Sequence, residues 1–491
     1  MLQARSPLGW YDSLALVRGG EGAAGGFDAT LAHARLLRRP PAVNSGGGAH
    51  AVGDLVLGNG SGGLDENALW IRRADSLFFV ETGAEGWNRD ALGPYGAAGR
   101  HQYGGAGGWE RGRARLEGAF TQRGSAGALA GGEEQSVHGA SGHAGLGYRW
   151  GRHDLRLRFG RSYDAHESFG GLLATSRRDA REHWAMVDWQ RDSVWSARLE
   201  ARDARVARTE AATAARDWTS SAVWLVVGAE ARRHAATLQA RVGAGKDAGV
   251  GGTELAPSLT MTFHQAPLAA RLFVERVLTS VWSDLAAGET AFLQSTWASG
   301  FDIGFADSTR GAARLGWLMG RTHDRALIAR LPLEDLWLRA GARRDPDTYD
   351  FGLATVAAEL RGRSWGAGGE AFLLIRDRSQ LQPNVDPGRG ARGFVEGRWR
   401  AFKDDLGVRA RGEMEVMGGR ESEASVVRVL PRAVSFGASV SLTLADAVVT
   451  VRMRNLTDQR SPQTWVDSST GVEALGPGRE LRVSIGWRFF N

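Results

Sequence analysis

Along most of the chain, apolar and polar side chains alternate one for one. In the closing segment RELRVSIGWRFFN, Leu481, Val483, Ile485, Trp487 and Phe489 fall on one side of an extended strand. Arg482, Ser484, Gly486 and Arg488 fall on the other. SFGASVSLTL sets Phe436, Ala438, Val440, Leu442 and Leu444 against serine, glycine and threonine, and VRARGEMEV sets Val408, Ala410, Gly412, Met414 and Val416 against Arg409, Arg411, Glu413 and Glu415. In RARLEGAF, Leu116 and Phe120 oppose Arg113, Arg115 and Glu117; in VWSARLEAR, Trp195 and Leu199 oppose Arg198 and Glu200. Period two therefore dominates, and it predicts strands.

The connections alternate as well. Short polar turns are expected at Gly151–Asp154, Arg191–Asp192, Glu230–Arg233, Lys403–Asp405 and Ala445–Ala447. Between them lie long stretches such as SYDAHESFGGLLATSRRDAR, DRSQLQPNVDPGRGAR and GGRESEASVVRVLPR. Short turns at one rim and long loops at the other are the habit of an outer-membrane barrel, with the short turns periplasmic. Roughly 20–22 candidate strands can be counted, near the ~10 residues that cross a bilayer obliquely. The predicted fold is all-β, a closed antiparallel transmembrane barrel of 22 strands within a range of 18–22, occupying residues 61–491. Residues 1–60 are set apart as an N-terminal segment, in which DATLAHARLLRR suggests a short helix and NSGGGAHAVGDLVLGNGSGG a linker or a frayed first strand.

Composition sharpens this picture. The 491 residues include 68 glycines and 13 prolines, which suits a sheet protein with many turns. With no cysteine, disulfides, thiolate nucleophiles and zinc–cysteine sites are excluded. Lys246 and Lys403 are the only lysines, so the net charge of +6 rests on arginine; the acidic residues are interspersed and no basic tail points to nucleic acid. No stretch approaches the roughly 18–20 apolar residues of a membrane helix, and the opening residues lack the apolar core of a secretion signal. Tyrosine is scarce at six, so 18 tryptophans and 18 phenylalanines would have to form the rims; Trp150, Trp189, Trp195, Trp224, Trp399 and Trp487 are the candidates.

The C-terminal stretch VTVRMRNLTDQRSPQTW…GPGRELRVSIGWRFF resembles the end of TonB-dependent outer-membrane receptors. Asn455, Leu456 and Asp458, after Val451 and Met453, occupy the place of the family's V-x-N-L-x-D box, and Pro477-Gly478-Arg479 leads into the final strand. Ser484, Gly486 and Phe489 match the signal read by the barrel-assembly machinery, although the chain ends on Asn491 after Phe490. The resemblance implies a 22-stranded barrel in the cell outer membrane, facing lipid, that takes up a scarce solute. It also implies an N-terminal plug and a box that engages TonB. No such box is identifiable here; LALVRGGEGAAGGFDA, with Val17, Arg18, Gly19, Gly25 and Gly26, resembles at most a plug tail, so TonB is a partner only if a plug and box lie upstream.

Chemistry is sparse. Gly362-Arg363-Ser364-Trp365-Gly366 matches G-x-S-x-G, but it falls between two strands rather than on a strand-to-helix elbow. GAGKDAG lacks the Ser/Thr and spacing of a phosphate loop. Asp164, His166 and Glu167 crowd one presumed loop without metal-ligand spacing. No catalytic residue, metal or cofactor is expected. The arginines predicted to face the lumen are Arg113, Arg115, Arg156, Arg158, Arg198, Arg409, Arg411, Arg452, Arg454, Arg482 and Arg488. They suggest either plain polarity or a lumen that concentrates anions. Three functions follow: a receptor for a small solute, a passive anion-preferring pore, or a soluble β-rich binding protein.

Overall fold

The computed structural model describes residues 13–18, 32–37, 50–60, 64–74, 77–89, 98–128, 134–169, 176–210, 213–247, 253–283, 290–307, 309–327, 348–376, 388–403, 405–421, 429–458, 462–466, 473–475 and 478–489. Twenty-two strands close into one antiparallel barrel. In chain order they are β1 (His50–Gly60), β2 (Leu64–Ala74), β3 (Phe78–Arg89), β4 (Ala98–Arg111), β5 (Ala114–Ala128), β6 (Glu134–Trp150), β7 (His153–Phe169) and β8 (Ser176–Arg191). Then come β9 (Trp195–Glu210), β10 (Thr213–Arg233), β11 (Ala236–Asp247), β12 (Thr253–Gln265), β13 (Leu268–Ser283), β14 (Thr290–Asp307) and β15 (Gly311–Leu327). The wall ends with β16 (Thr348–Arg361), β17 (Trp365–Arg376), β18 (Arg389–Ala401), β19 (Leu406–Met417), β20 (Ala433–Leu444), β21 (Ala447–Arg454) and β22 (Glu480–Phe489). β22 pairs with β1, from Arg482 opposite Gly60 to Phe489 opposite Gly53, and this seam leaves no edge in the sheet.

The wall begins at His50, inside the stretch set apart as an N-terminal segment. The helix expected around Ala32–Leu37 is instead a strand, paired antiparallel with Ser13–Arg18. Ala32, Ala34 and Leu36 alternate with His33 and Arg35, so the period-two signal prevails over helix propensity there. The turn expected at Glu230–Arg233 forms later, around His234, because β10 continues to Arg233.

Large apolar side chains stand exposed on one face of nearly every strand. On β22 these are Leu481, Val483, Ile485 and Trp487; on β20, Phe436, Val440, Leu442 and Leu444; on β10, Val223, Leu225 and Val227. A soluble two-layer body would bury such rows against a second sheet. Here a single closed wall leaves them outward, as hydrocarbon requires. The soluble reading is thereby excluded. Trp150, Trp195, Trp399 and Trp487 are exposed at the short-turn end of this belt, where interfacial aromatics belong. Trp224 does not join them: it lies mid-strand on the inner face and is buried.

Trp224 shows where much of the glycine goes. Its ring covers Gly245, its direct cross-strand partner. The same pairing recurs on the inner face with Trp70 over Gly83, Trp184 over Gly160, Phe273 over Gly300, Phe351 over Gly320 and Phe394 over Gly368. A Cβ at Gly300 would come within 2.7 Å of the Phe273 ring. Each glycine lets a flat ring lie against the backbone of the next strand, shielding it and fixing register. Glycine abundance therefore reflects the strands as well as the turns.

Candidate functional site

Opposite the apolar rows, the inner face carries arginine and carboxylate side chains on neighbouring strands. On β18 and β19 the odd–even phase sends Val395, Trp399 and Met414 outward, and puts Glu396, Arg398, Arg409, Arg411 and Glu413 together inside. Glu396 is the hub, with a side chain only 2 % exposed. It accepts from Arg398, from Arg409 Nε at 3.0 Å and from Arg411 Nη1 at 3.5 Å. Arg411 Nε also donates to Glu413 Oε1 at 2.8 Å, and Arg452 Nη2 on β21 donates to Glu413 Oε2 at 3.0 Å. The Arg411 guanidinium stacks 3.8 Å from the centre of the Phe394 ring, so the ring that shields Gly368 also positions a cation. Arg411, Glu413, Arg452 and Arg454 line a recess of about 790 Å³ together with Arg392 and Glu480.

A second polar field covers β5–β9. Arg158 Nε meets Glu117 Oε1 at 2.8 Å, and Arg115 meets the other Glu117 oxygen at 3.0 Å. Arg156 bonds Asp154 at 2.9 Å, Arg198 bonds Asp188 at 2.5 Å and Arg123 bonds Asp164 at 2.5 Å. Between them run Thr121–Ser141 at 2.7 Å and Ser162–Glu182 at 3.2 Å.

The sequence-predicted residues thus fare differently. Arg115, Arg156, Arg158, Arg198, Arg409, Arg411 and Arg452 each have a carboxylate partner. Arg113 is corrected: it sits in the turn Gly112–Arg113 rather than in a strand, because Gly112 takes a positive φ of 61° and closes the hairpin there. Arg454 is exposed, opposite Glu480, and Arg482 stands between Arg452 and Gly60. Arg488 and Phe489 face Asp54 and Gly53 in backbone register, while their side chains lie outside the described residues. Ser484 and Gly486 sit mid-seam, opposite Gly58 and Val56.

Asp164, His166 and Glu167 are not in a loop: β7 runs on to Phe169. Asp164 is taken by Arg123, and Glu167 by Arg177 at 3.0 Å, so cross-strand pairing accounts for both acids. Among the described residues no cluster of acids and imidazoles has metal-site geometry. Gly362–Ser364 is a tight connection between β16 and β17, with Gly362 N bonded to Trp365 O at 2.9 Å.

The Asn455–Asp458 box proves to be a clasp. Asn455 and Asp458 have φ of 50° and 56°, a left-handed backbone that asparagine and aspartate tolerate. Leu456 N bonds Phe436 O at 2.9 Å, carrying the sheet beyond the end of β21. Asp458 Oδ1 then accepts from Arg479 N at 2.7 Å, and Arg479 Nη2 bonds Leu456 O at 2.9 Å. The box thereby holds the entry to β22, 21 residues further on, against the exit of β21.

The partner carboxylates Glu117, Asp188, Glu396 and Glu413 were absent from the sequence-predicted set. A signal existed: arginine and acid recur two residues apart, hence on one face, in Arg115/Glu117, Asp154/Arg156, Glu396/Arg398 and Arg411/Glu413.

Solved structures share this architecture. The copper transporter OprC superposes with a TM-score of 0.77 at 11% identity, covering 98% of this chain and 86% of that one. The FrpB iron transporter from Neisseria meningitidis gives 0.74 at 10%, covering 98% and 88%. The siderophore receptor PirA from Acinetobacter baumannii gives 0.73 at 10%, covering 97% and 85%. The chain has the fold of a large outer-membrane transport barrel. That is the fold implied by the C-terminal resemblance, reached here without sequence-wide similarity: no family model and no curated protein matches the chain. Within the barrel the inner arginines and carboxylates form a paired lining, able to hydrogen-bond a polar surface at many points.

Proposed function

We propose that the chain is an outer-membrane receptor barrel for uptake of a scarce solute, energised through TonB by way of a plug. The observation that carries this reading is a closed wall of 22 strands that is apolar outside and lined inside by paired charges. Solved barrels of this architecture are described as an iron transporter, a copper transporter and a siderophore receptor, and they support a role in capturing solutes of that kind. A passive anion-preferring pore needs cations left free along the path. The pairing of Arg156, Arg158, Arg198, Arg409 and Arg452 with acids weighs against it. The test is accumulation of copper and of a panel of ferric siderophores by cells with and without the chain. Saturable uptake that stops when the inner-membrane proton gradient is collapsed is the expected result. Uptake that continues unsaturated after collapse would transfer the barrel to the pore reading.

A further inference from the structure

The outer face of β7–β10 has a sharp boundary. Three outward rows pair across these strands: Leu155/Trp189/Ala197/Val227, Leu157/Val187/Leu199/Leu225 and Phe159/Ala185/Ala201/Val223. The next outward row, one step farther from the short turns, is Arg161/His183/Asp203/Ser221, and the one above it contains Tyr163, Arg181 and Arg205. Arg161, Arg181, His183 and Arg205 are all exposed. Each outward step is ~6–7 Å along the strand and ~5 Å in height on a strand tilted ~35–45°, so these cations stand just above the apolar rows, where a guanidinium reaches the headgroups.

The company of Arg161 and Arg181 differs from that of the inner arginines. Among the described residues neither Arg161 nor Arg181 has a carboxylate partner, although the Arg181 guanidinium lies 5.8 Å over the Tyr163 ring. The nearby acids are engaged elsewhere. Asp203 accepts from Ser221 Oγ at 2.7 Å, and Asp179 accepts from Tyr163 Oη at 2.9 Å and Arg177 Nε at 3.1 Å. Guanidinium groups at a hydrocarbon edge need an anionic acceptor with paired oxygens, and phosphate supplies it in the geometry arginine favours. We propose that Arg161, Arg181 and His183 form a binding site for the phosphate of an outer-leaflet lipid headgroup. The site rests on the outer-membrane reading above, which sets the long-connection rim outside the cell.

The experiment uses the full chain in neutral detergent and three probes: phosphorylated lipid A, the same lipid stripped of phosphate, and sodium phosphate. Phosphorylated lipid A should bind at least tenfold tighter than the stripped lipid. The double variant R161E/R181E should lose that advantage, and the neutral R161Q/R181Q, checked for folding by heat-modifiable gel migration, should lose most of it. R321E, an outward change on β15, should bind as the parent does. Equal binding of both lipids, or parent-like binding by both double variants, overturns the site. Displacement of lipid by sodium phosphate at equal concentration would show a free-anion site instead of a lipid one. Because lipid affinity is read without any transported solute, its failure is separate from failure of the uptake reading, which would appear as unsaturated uptake that persists after the proton gradient is collapsed.

Discussion

Arginine stands on both faces of the barrel wall, and the two populations keep different company. On the inner face of β5–β9 and β18–β21, arginines meet carboxylates at hydrogen-bond distance, often two residues away on the same strand or directly across on the next. On the outer face of β7–β10 the three rows from Leu155 to Phe159 carry no charge, and arginine returns above them. One residue type therefore serves two environments. Inside, where Glu396 is out of contact with water, charge must be balanced within the wall. Outside, water or headgroups can balance it. Four breaks in the wall, at successively cheaper points, sharpen this contrast.

The most costly break is at the inner hub. Glu396→Gln would leave Arg398, Arg409 and Arg411 sharing a neutral amide. We expect a loss at the lower end of the about 3–5 kcal/mol that removing one partner of a buried ion pair costs, because Arg398 and Arg409 are themselves about half exposed. Urea unfolding in lipid vesicles reads it directly, and an unchanged midpoint would mean that water already screens the hub.

The next break is across the wall at one place. Val440 is exposed on the outer face and Ser441 bonds Thr450 at 3.1 Å on the inner one. Val440→Arg should cost about 2–4 kcal/mol, the penalty for arginine near the bilayer midplane. Ser441→Arg should cost only the about 0.5–1.5 kcal/mol of a lost hydrogen bond. Equal costs for these adjacent positions, measured by the same unfolding assay, would show that lipid does not cover the outer face.

How far the sequence shows all this depends on how local the governing physics is. The phase of the strands is local: a greasy row such as Leu481–Trp487 announces both its period and its outward face, and the closing strand announces the barrel. The end of β7 is not local. Asp164 to Phe169 resembles a polar loop because polarity usually marks a connection, yet the backbone continues as strand and the polar residues simply stand above the belt. The partners of the inner arginines depend on register between strands, which one chain cannot display. Asp164, for instance, is 41 positions from Arg123. The aromatic–glycine pairs are hidden for the same reason: Trp70 and Gly83 are plain residues until register sets them opposite each other.

Those pairs supply a third break. Gly300→Val would drive a branched side chain into the Phe273 ring, which is packed beside Ala298 and Leu318. Overpacking of this kind costs about 1–3 kcal/mol. The companion Phe273→Ala, G300V double variant should recover part of the loss, since the clash with the ring disappears while the close approach to the Trp317 carbonyl oxygen remains. Recovery absent in thermal unfolding would mean that the ring is not what the glycine accommodates.

The smallest effect is expected outside the belt. Arg321 and Asp350 form a two-pronged pair, with Nε to Oδ1 at 2.7 Å and Nη2 to Oδ2 at 2.8 Å, on the outer face just above the exposed Met319. Its geometry is as good as any inside the barrel, but the side chains are 69% and 56% exposed. Water competes for both ions and salt screens them, so Arg321→Ala should cost about 0.2–1 kcal/mol, and less in high salt. Glu396→Gln should show less salt dependence, because the Glu396 side chain is only 2% exposed even though Arg398 and Arg409 are about half exposed. Comparing the two variants at low and high salt separates position from geometry: a pair of equal length that responds more to salt on the outer face shows that surroundings, rather than hydrogen-bond distance, set the worth of arginine in this wall.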